Sequence, residues 1–402
     1  MTTEGNDELT TPGTGPWDLV VVGAGPAGAA TALGARHADP SLRVLLLDRA
    51  DFPRDKCCGD GIAPHVLEAL ASVGVDRAAA GWATLTRLEL TRGGSSVTGT
   101  MARPVHVIPR EVFDARLVEA ATAAGARFAR HRVSGLARHG DEVVLDDRIR
   151  ARVVVGADGA HSVVRSWLGD AGPGRRALAI RGYAPTPVER RGSQVIRYGD
   201  RRQPSYAWAF DRGDGLSNVG YGELLPDHGG DHPSRALLLE QLERLLPGST
   251  TAGTSWRAHH LPLSGWRWQQ PDGPVLLTGD AAGLVNPMTG EGIYYAVATG
   301  ILAGRAAAHA LAAGDPGRAG GLHRRSVRQA LARNLRHTWF ASRLSRLPTF
   351  VDASIAAAGR NGRIFDDLVE IGLGDGLITP RLAGGLALAL AATGAACRTD
   401  PR

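Results

Sequence analysis

The sequence predicts an α/β fold with a parallel sheet, a second, antiparallel sheet and a helical C-terminal region. Three apolar strands along the chain each run directly into a turn rich in glycine and aspartate. From about residue 178 to residue 260 the pattern is strand-like, with many turn residues and most of the aromatic residues, and a helix predicted over 233–246 interrupts it. Residues 318–402 have the composition of helices. Because a chain of 402 residues is too long for one core, we expect separate lobes.

The first strand, turn and helix lie within residues 17–49. A β-branched apolar run, 19–22, precedes an alanine-rich helix predicted over 27–38. Three glycines between them have G-x-G-x-x-G spacing: Gly23, Gly25 and Gly28. They permit a tight turn, close approach of a pyrophosphate, and packing of helix on strand, while the helix N-terminus attracts phosphate. Asp48 ends the second strand, where its carboxylate can bind ribose hydroxyls, so the unit predicts a Rossmann-like dinucleotide-binding domain.

Two later strands end in similar turns. Residues 153–155 run into a turn that contains Asp158, and residues 275–277 run into one that contains Asp280. An aspartate at the carboxyl edge of a parallel strand lies where such sheets bind ligands. Taken singly, either aspartate could equally well cap a helix. Three such turns in one chain predict that distant segments meet around one ligand.

Composition and charge narrow the classes of function. The net charge is +6, carried almost entirely by arginine because Lys56 is the only lysine, and it suits an anionic cofactor or substrate. The sequence has no nucleic-acid-binding motif, so no nucleic-acid partner is expected. His259-His260 has no acid or cysteine at ligand spacing, which predicts that no metal is bound.

The sequence also predicts a location. Cys57 and Cys58 are too close for an unstrained disulfide, and with Cys397 they make no disulfide framework, which favours a reducing cytoplasm. Residues 1–15 are polar, lack the apolar core of a signal peptide and predict a disordered tail. No apolar run is long enough to span a membrane.

The three motifs, in this order, resemble the FAD-dependent p-hydroxybenzoate-hydroxylase superfamily. The residues that match its second and third motifs are Gly156, Asp158, Gly159, Ser162, Arg165, Gly279-Asp280 and Pro287-x-x-Gly290-x-Gly292. The segment 54–62, RDKCCGDGI, resembles more narrowly the geranylgeranyl-reductase family, which includes prenylquinone-chain reductases. The resemblance covers about residues 16–312 and implies FAD as the cofactor.

The same family carries a Tyr-x-Trp-x-Phe-Pro segment followed by Gly-x-Gly. The matching residues here are Tyr206, Trp208, Phe210, Gly220 and Gly222, while Asp211 replaces the proline and Arg212 a usual lysine. The resemblance implies that these residues line a pocket for an apolar substrate. Aromatic residues at period two also form the core of a sheet, and this alternative stays open.

The resemblance implies a p-hydroxybenzoate-hydroxylase-like domain organisation. We expect a discontinuous FAD-binding domain over residues 16–84, 101–166 and 271–315. An inserted antiparallel β-sheet domain, 85–100 and 167–270, would bind the substrate. Residues 316–402 would form the C-terminal helical region.

The resemblance also implies a set of cofactor-binding residues. These are Gly23, Gly25, Pro26, Ala27, Gly28, Asp48, Arg49, Cys58, Gly59, Arg110, Asp158, Gly279, Asp280, Pro287, Gly290, Gly292 and Ile293. Within this set Asp48 would bind the adenosine ribose, Asp280 the ribityl hydroxyls, and the turn at Pro287 the isoalloxazine. Arg110 would face the pyrophosphate, for which a guanidinium is well shaped, or it would be a surface residue in the first turn of a helix.

Two residues of the RDKCCGDGI segment are candidates for catalysis. In the resembling reductases a cysteine of this loop lies near flavin and substrate. Cys58 is therefore the candidate group, with its thiolate favoured by Lys56 and Arg54. The alternative, that Cys58 is a small packed loop residue, is left open.

The resemblance implies a flavoprotein oxidoreductase, and two reactions stay open. In the first, reduced FAD delivers hydride to a C=C bond of an isoprenoid-type substrate. In the second, a monooxygenase hydroxylates or epoxidises an aromatic or polyene natural product, of polyketide type for example, through a C4a-hydroperoxide. A flavin-binding protein without turnover is a third class.

The electron donor and the surroundings of the enzyme are also implied only indirectly. NAD(P)H is expected as the donor, although no second Rossmann unit is visible. Residues 318–346 contain eight arginines and no acid. They predict either a solvated helix face or a site for a diphosphate or an anionic lipid headgroup. In the case of a lipid headgroup, the cytoplasmic protein would contact a membrane peripherally.

Overall fold

The computed structural model describes residues 16–169, 174–226 and 231–396. The tail expected over residues 1–15 and Cys397 lie outside the described residues. Within the described residues, no helix is both long enough and apolar enough to cross a bilayer.

The secondary structure comprises strands and helices that alternate along the chain. The strands are β1 (Trp17–Val22), β2 (Val44–Asp48), β3 (Gly61–Ile62), β4 (Thr84–Arg92), β5 (Ser95–Val107), β6 (Arg127–Arg130), β7 (Leu136–His139), β8 (Glu142–Leu145), β9 (Ile149–Gly156), β10 (Arg176–Pro185), β11 (Ser193–Tyr198), β12 (Tyr206–Asp211), β13 (Leu216–Leu224), β14 (Thr254–Pro262) and β15 (Val275–Leu277). The helices are α1 (Pro26–Ala38), α2 (Pro64–Ala71), α3 (Arg110–Ala123), α4 (Val163–Trp167), α5 (Arg235–Leu245), α6 (Ile293–Ala312), α7 (Ala319–Leu344), α8 (Pro348–Arg360), α9 (Gly362–Leu373) and α10 (Pro380–Ala396).

The first sheet brings the three glycine-and-aspartate turns together. Its strand order is β6-β2-β1-β9-β8-β7, and β15 pairs with β9. Strands β1, β2, β9 and β15 are mutually parallel, and the apolar residues of each are buried. Their carboxyl ends therefore lie at one edge, where parallel sheets bind ligands. The turns after β1, β9 and β15 and the last residue of β2 all lie at this edge.

Helices α1 and α6 pack on each other at backbone distance. A Cβ added at Gly300 would lie 2.3 Å from the carbonyl oxygen of Ala27, and one at Gly304 would lie 2.1 Å from that of Thr31. Only glycine allows this approach. Both helices begin at the cavity described below, since Pro26 and Ile293 line it.

The second sheet is mainly antiparallel, with the order β14-β10-β13-β12-β11-β4-β5-β3. The hairpin predicted over 85–100 is present, with its turn at Gly93-Gly94. Strand β5 continues to Val107 and pairs there with β3, so the second sheet extends beyond the boundary expected at residue 100.

The C-terminal helices cover the second sheet. Val351 and Ile355 of α8 and Phe365 of α9 are buried against the hairpin of β4 and β5. Helix α10 packs on α8 and α9 through Leu382 and Leu386. The predicted fold class is confirmed: a Rossmann-like α/β lobe, a second β-sheet and a helical C-terminal region.

Candidate functional site

A cavity of about 960 Å³ runs from the carboxyl edge of the first sheet across the second sheet to the C-terminal helices. Small-molecule sites span roughly 300–1,000 Å³, so this cavity has room for a large ligand. The sequence-predicted residues that line it are Gly23, Gly25, Pro26, Ala27, Asp48, Arg49, Lys56, Cys58, Gly59, Arg110, Asp158, Tyr206, Trp208, Phe210, Gly222, Asp280, Pro287, Gly290, Gly292 and Ile293. Residues that are distant in sequence therefore do converge on one space.

Three predicted contact residues, Gly28, Gly220 and Gly279, are not part of the cavity wall. A Cβ on Gly28 would lie 1.7 Å from the carbonyl oxygen of Gly23, and one on Gly220 would lie 2.2 Å from the Trp208 ring. Gly279 has a φ of +56°, a left-handed conformation that favours glycine. These glycines allow close packing around the site, and their contact with a cofactor stays a prediction.

The wall beside β2 is polar. Asp48 accepts hydrogen bonds from the backbone N–H groups of Ala24 (2.9 Å) and Ala50 (3.0 Å). The guanidinium of Arg54 lies 3.7 Å from Asp48 and 3.3 Å from the buried Asp114. The predicted ribose-binding carboxylate is therefore held in place by the turn after β1.

Two guanidinium groups lie near the glycine turn. Arg110 is only 3% exposed, which excludes the alternative of a surface residue, and it forms two hydrogen bonds of 2.6 and 2.7 Å with Asp114. The positive charge of its guanidinium also acts on Cys58, where it opposes the effect of burial on the pKa of the thiol. Arg54 was not predicted as a cofactor ligand, although its Nη2 lies 3.4 Å from a Cβ placed on Gly25. Both cations suit the phosphates that the turn can bind.

The second turn is organised by Asp158 and Arg165. Asp158 accepts hydrogen bonds from the Ser162 hydroxyl (2.5 Å) and the backbone N–H of Val163 (2.7 Å), so its carboxylate caps α4. Arg165 donates to the carbonyl oxygens of Ala160 (2.6 Å) and Ala281 (3.0 Å). Asp158 thus has the capping role that the sequence left open, and Arg165 ties the second turn to the third.

The third turn places an ion pair on the cavity wall. Lys56 Nζ lies 3.3 Å from Asp280 Oδ2, and both side chains are mostly buried. Burial acts to raise the pKa of Asp280, but Lys56 and His259 outweigh it and hold the carboxyl below its usual range. Asp280 is therefore an anion beside the turn that was predicted to face a flavin.

Beyond Asp280, the turn from Asn286 to Gly292 begins α6. The Asn286 side chain donates to the carbonyl oxygen of Ile371 (3.0 Å), which anchors this turn to the end of α9. Glu291, which the sequence did not single out, lines the cavity and accepts from the backbone N–H of Tyr294 (2.9 Å). Burial raises the pKa of Glu291 to about 7. It is therefore a carboxyl group that can hold a proton near neutral pH.

The expectation of a Cys58 thiolate favoured by Lys56 and Arg54 is wrong. Burial raises the pKa of Cys58, and this outweighs the opposite effect of Arg110. Lys56 instead pairs with Asp280 and Arg54 with carboxylates near the glycine turn. A desolvated thiolate is unfavourable, so Cys58 is a neutral thiol.

The loop that carries Cys58 is tied to the second sheet by a buried network. Asn218 donates to the carbonyl oxygen of Cys58 and to Asp60, each at 2.8 Å, and accepts from Trp208 Nε1 at 2.8 Å. Asp60 is fully buried and also accepts from the Tyr183 hydroxyl at 2.6 Å. These contacts hold Cys58 and Trp208 in a defined relation, and no motif indicated Asn218 or Tyr183.

The aromatic strand β12 supplies one wall of the cavity. Tyr206, Trp208 and Phe210 follow at period two, line the cavity and contact one another with ring centroids 6.0 and 6.5 Å apart. Tyr206 donates its hydroxyl hydrogen to the carbonyl oxygen of Thr289. These side chains therefore border the cavity near the third turn.

The far end of the cavity is apolar and its wall was not predicted. The C-terminal helices and the segment before α10 contribute Ala341, Phe350, Val351, Ile355, Leu368, Ile378, Leu382 and Leu386, and the second sheet contributes Leu88, Leu90, Val105 and Ile196. None of these twelve residues has a charged side chain. It suits an extended hydrocarbon ligand.

Imidazoles lie beside the ion pair of Lys56 and Asp280. The ring of His161 is 5.6 Å from that of His260 and 6.3 Å from that of His259. Burial, together with Lys56, lowers the pKa of His259 to about 4. Across the described ranges, no three histidine, cysteine, aspartate or glutamate side chains are grouped as metal ligands.

The polar end of the cavity fits FAD. Glycine turns at its wall leave space that a Cβ would narrow, the N-terminus of α1 and two guanidinium groups lie near the first glycine turn, and Asp48 and Asp280 lie further along the wall. A sequence model of the FAD binding domain matches residues 17–206. The chain therefore contains an FAD-binding domain.

Relatives narrow the assignment. The menaquinone reductase of Mycolicibacterium smegmatis is 33% identical over 329 residues, which covers 71% of this chain and 75% of that protein. Digeranylgeranylglycerophospholipid reductase 1 of Methanopyrus kandleri is 32% identical over 334 residues, covering 74% of this chain and 82% of the relative.

A solved structure shows the same fold. The geranylgeranyl bacteriochlorophyll reductase-like protein from Thermoplasma acidophilum superposes with a TM-score of 0.75 at 20% identity, covering 94% of this chain and 96% of that one. The sequence relatives and the cofactor end of the cavity lead to the same assignment, which the sequence motifs had implied. The chain belongs to the geranylgeranyl-reductase family of FAD-dependent oxidoreductases.

Proposed function

We propose that this enzyme saturates a C=C bond in the isoprenoid chain of an apolar substrate such as a prenylated quinone. The observation that carries the proposal is the continuity of the cavity, from the polar wall at Asp48 and Asp280 to the apolar wall of the C-terminal helices. Such a space can hold a charged cofactor at its polar end and a hydrocarbon chain at its apolar end. Relatives named as reductases of menaquinone and of digeranylgeranyl lipids support this choice.

We infer that the cofactor residues have the roles that the motifs imply. Asp48 would bind the adenosine ribose, Arg110 the pyrophosphate, and Asp280 the ribityl chain. Arg54, which the motifs did not indicate, would bind the pyrophosphate together with Arg110. Lys56 would then position Asp280 rather than act on the thiol, because the two form an ion pair of 3.3 Å. Bound FAD, once reduced, supplies the hydride that one carbon of the double bond requires.

The second carbon of the double bond needs a proton. We propose that Cys58 donates it as a neutral thiol, and that the positive charge of Arg110, which lowers the pKa of Cys58 against the effect of burial, stabilises the thiolate that remains. Glu291 would then return a proton to Cys58. This direction is favourable because the pKa of Glu291 is about 7 whereas burial raises that of the thiol. The hydride and the proton together balance the reduction.

The aromatic residues would hold the chain at the reacting position. Tyr206, Trp208 and Phe210 line the cavity beside the turn at Pro287, so they can pack against a prenyl unit there. Gly222 forms part of the neighbouring wall. The alternative of a purely structural core is less favoured, because these side chains border the cavity.

We further propose NAD(P)H as the electron donor. Lys56 and Arg257 line the cavity and supply positive charges that suit a dinucleotide phosphate. Rapid mixing of the oxidised flavoprotein with NADH and with NADPH would test this. Bleaching of the flavin by at least one of them is expected, and no bleaching by either would exclude both donors.

The proposed apolar substrate favours a location of the enzyme at a membrane. A prenyl chain partitions into a bilayer, so we propose that the protein is cytoplasmic and contacts the membrane peripherally. Helix α7 with its arginines supports this contact.

A single-turnover experiment separates the reductase from a monooxygenase. The flavoprotein is reduced without oxygen and mixed with a prenylated quinone in deuterated water. We expect flavin reoxidation and a product whose prenyl chain has gained two carbon-bound hydrogens, at least one of them deuterium from solvent, because the N5–H of reduced flavin also exchanges with water. Absence of reoxidation until air is admitted, followed by an oxygenated product, would overturn the reductase in favour of the monooxygenase.

A further inference from the structure

One face of the second half of α7 combines arginines with exposed apolar side chains. Residues three or four apart share a face of a helix. The face continues just past the helix end and consists of Arg333, Arg336, Phe340, Arg343 and Leu347. Phe340 is 49% exposed and Leu347 is 56% exposed. Large apolar residues therefore lie in water between guanidinium groups.

Two tryptophans extend this face. The ring of Trp266, which is 44% exposed, lies 5.1 Å from the ring of Trp339. The Arg336 guanidinium lies 6.0 Å from the Trp266 ring, and that of Arg343 lies 4.9 Å from the Trp339 ring. We call the set Trp266, Arg336, Trp339, Phe340, Arg343 and Leu347 the docking surface.

The docking surface is positively charged. No acid occurs from residue 318 to residue 346. Arg336 and Arg343 form no ion pair with any residue that the structure describes. Single exposed apolar residues are common on proteins, but basic residues together with tryptophan and other large apolar side chains are typical of segments that lie in a membrane interface.

The opposite side of the same turns faces the cavity. Ala341 and Ser345 line its apolar end, together with Phe350 from the start of α8. A helix with its side chains is roughly 10 Å thick, so only α7 separates this part of the docking surface from the apolar end of the cavity. The docking surface thus lies next to the end of the cavity where a hydrocarbon chain would bind.

We propose that the docking surface binds the anionic surface of a lipid bilayer. The arginines contact lipid phosphates, while Phe340, Leu347 and Trp266 enter the headgroup region. A second copy of the chain is a poorer partner, because it would bring the same positive charge to the contact. A role of the docking surface in substrate uptake rests on the proposed reduction of a prenyl chain, whereas membrane binding can be measured without that reaction.

Vesicle flotation of the FAD-loaded protein tests the proposal. Vesicles of phosphatidylcholine alone are compared with vesicles that contain phosphatidylglycerol in equal parts. The variants are Phe340→Ser with Leu347→Ser, and Arg336→Gln with Arg343→Gln. A matched control, Arg325→Gln with Arg328→Gln, removes two exposed arginines from the first half of the same helix. Flavin absorbance shows that each variant is folded.

We expect the unaltered protein and the control to float with anionic vesicles only, and each docking-surface variant to bind at least about tenfold more weakly. Equal flotation of all variants, or none by the unaltered protein, would overturn the proposal. So would a dimer that becomes a monomer only in the Phe340→Ser/Leu347→Ser variant, since this identifies a protein interface. Reduction of a short, water-soluble prenyl substrate should be unchanged in the variants. Absence of that reduction in every protein counts against the proposed function alone.

Discussion

At its cofactor end the cavity is walled mainly by backbone and buried ion pairs, whereas its far end is walled by apolar side chains. At the cofactor end a Cβ on Gly23 would lie 2.4 Å from the carbonyl oxygen of Ala157 in the neighbouring turn. At the far end, Ile355 and Leu386 come from helices that approach the sheet from the C-terminal region. Backbone geometry demands particular residues at particular spacings, while a hydrocarbon wall accepts many residues of suitable size.

The largest effect is expected at the glycine turn. In Gly28→Ala the new Cβ would lie 1.7 Å from the carbonyl oxygen of Gly23, so α1 must move away from β1. We expect a loss of stability of about 3 kcal/mol or more and no bound flavin. Thermal unfolding and flavin absorbance measure both. Gly94→Ala is the control, because its Cβ meets nothing within 4 Å. A Gly28→Ala protein that is stable and binds flavin would show that the cofactor end of the cavity tolerates substitution as well as the apolar end does.

The next effect concerns the charge at the third turn. Asp280→Ala removes a carboxylate whose hydrogen bonds are worth about 1.5–3 kcal/mol, so FAD affinity should fall roughly ten- to hundredfold. It also leaves Lys56 without its partner. Titration of the apoprotein with FAD measures the change, and Asp214→Ala, at an exposed ion pair, is the control. Undiminished affinity would contradict the ribityl contact proposed for Asp280.

A change at the apolar end should spare the cofactor. Ser354 lines the cavity on α8, and Ser354→Phe fills part of the space there. We expect KM for a long-chain prenyl substrate to rise about tenfold, roughly 1.4 kcal/mol, with a short-chain substrate unaffected. Ser354→Ala controls for loss of the hydroxyl, which donates to the carbonyl oxygen of Phe350. Loss of FAD from Ser354→Phe, or equal KM values for both chain lengths, would show that the ends are not separate.

The smallest effect is on the pH dependence of turnover. Burial raises the pKa of Glu291 to about 7, so its carboxyl holds a proton below that pH and loses it above. A group that supplies protons then gives a rate that falls about fivefold from pH 7 to pH 8. Glu291→Gln should lower the rate at pH 7 and abolish this decline, as steady-state assays can show. A decline that persists in Glu291→Gln would assign it to another group.

The cofactor half of the site could largely be predicted from the sequence. The strand, turn and helix around Gly25, the acid at Asp48 and the turn at Asp280 are local patterns whose geometry requires those residue types. Their meeting at one sheet edge followed from the parallel arrangement of the strands. The role of Gly220 was not predictable, because a glycine that packs and a glycine that borders a ligand look alike in sequence. For Asp158 the sequence left helix capping and ligand binding open.

The ion-pair partners and protonation states of the site residues could not be predicted from the sequence. Lys56 is close to Cys58 in sequence but is paired with Asp280, and burial keeps Cys58 in the thiol form. Ionisation depends on desolvation and on partners that only the fold supplies. For the same reason Glu291 was not recognised, since its raised pKa comes from its surroundings.

The sequence by itself determined the Rossmann-like lobe, the second sheet, FAD as the cofactor and the membership of a reductase family, because short turns with strict backbone requirements carry that information. Only the tertiary structure decided how far the cavity extends and what walls its apolar end. That wall is assembled from the second sheet and α7 to α10, which lie far apart in the chain. Side chains that need only be apolar leave no motif, so their meeting is decided by packing.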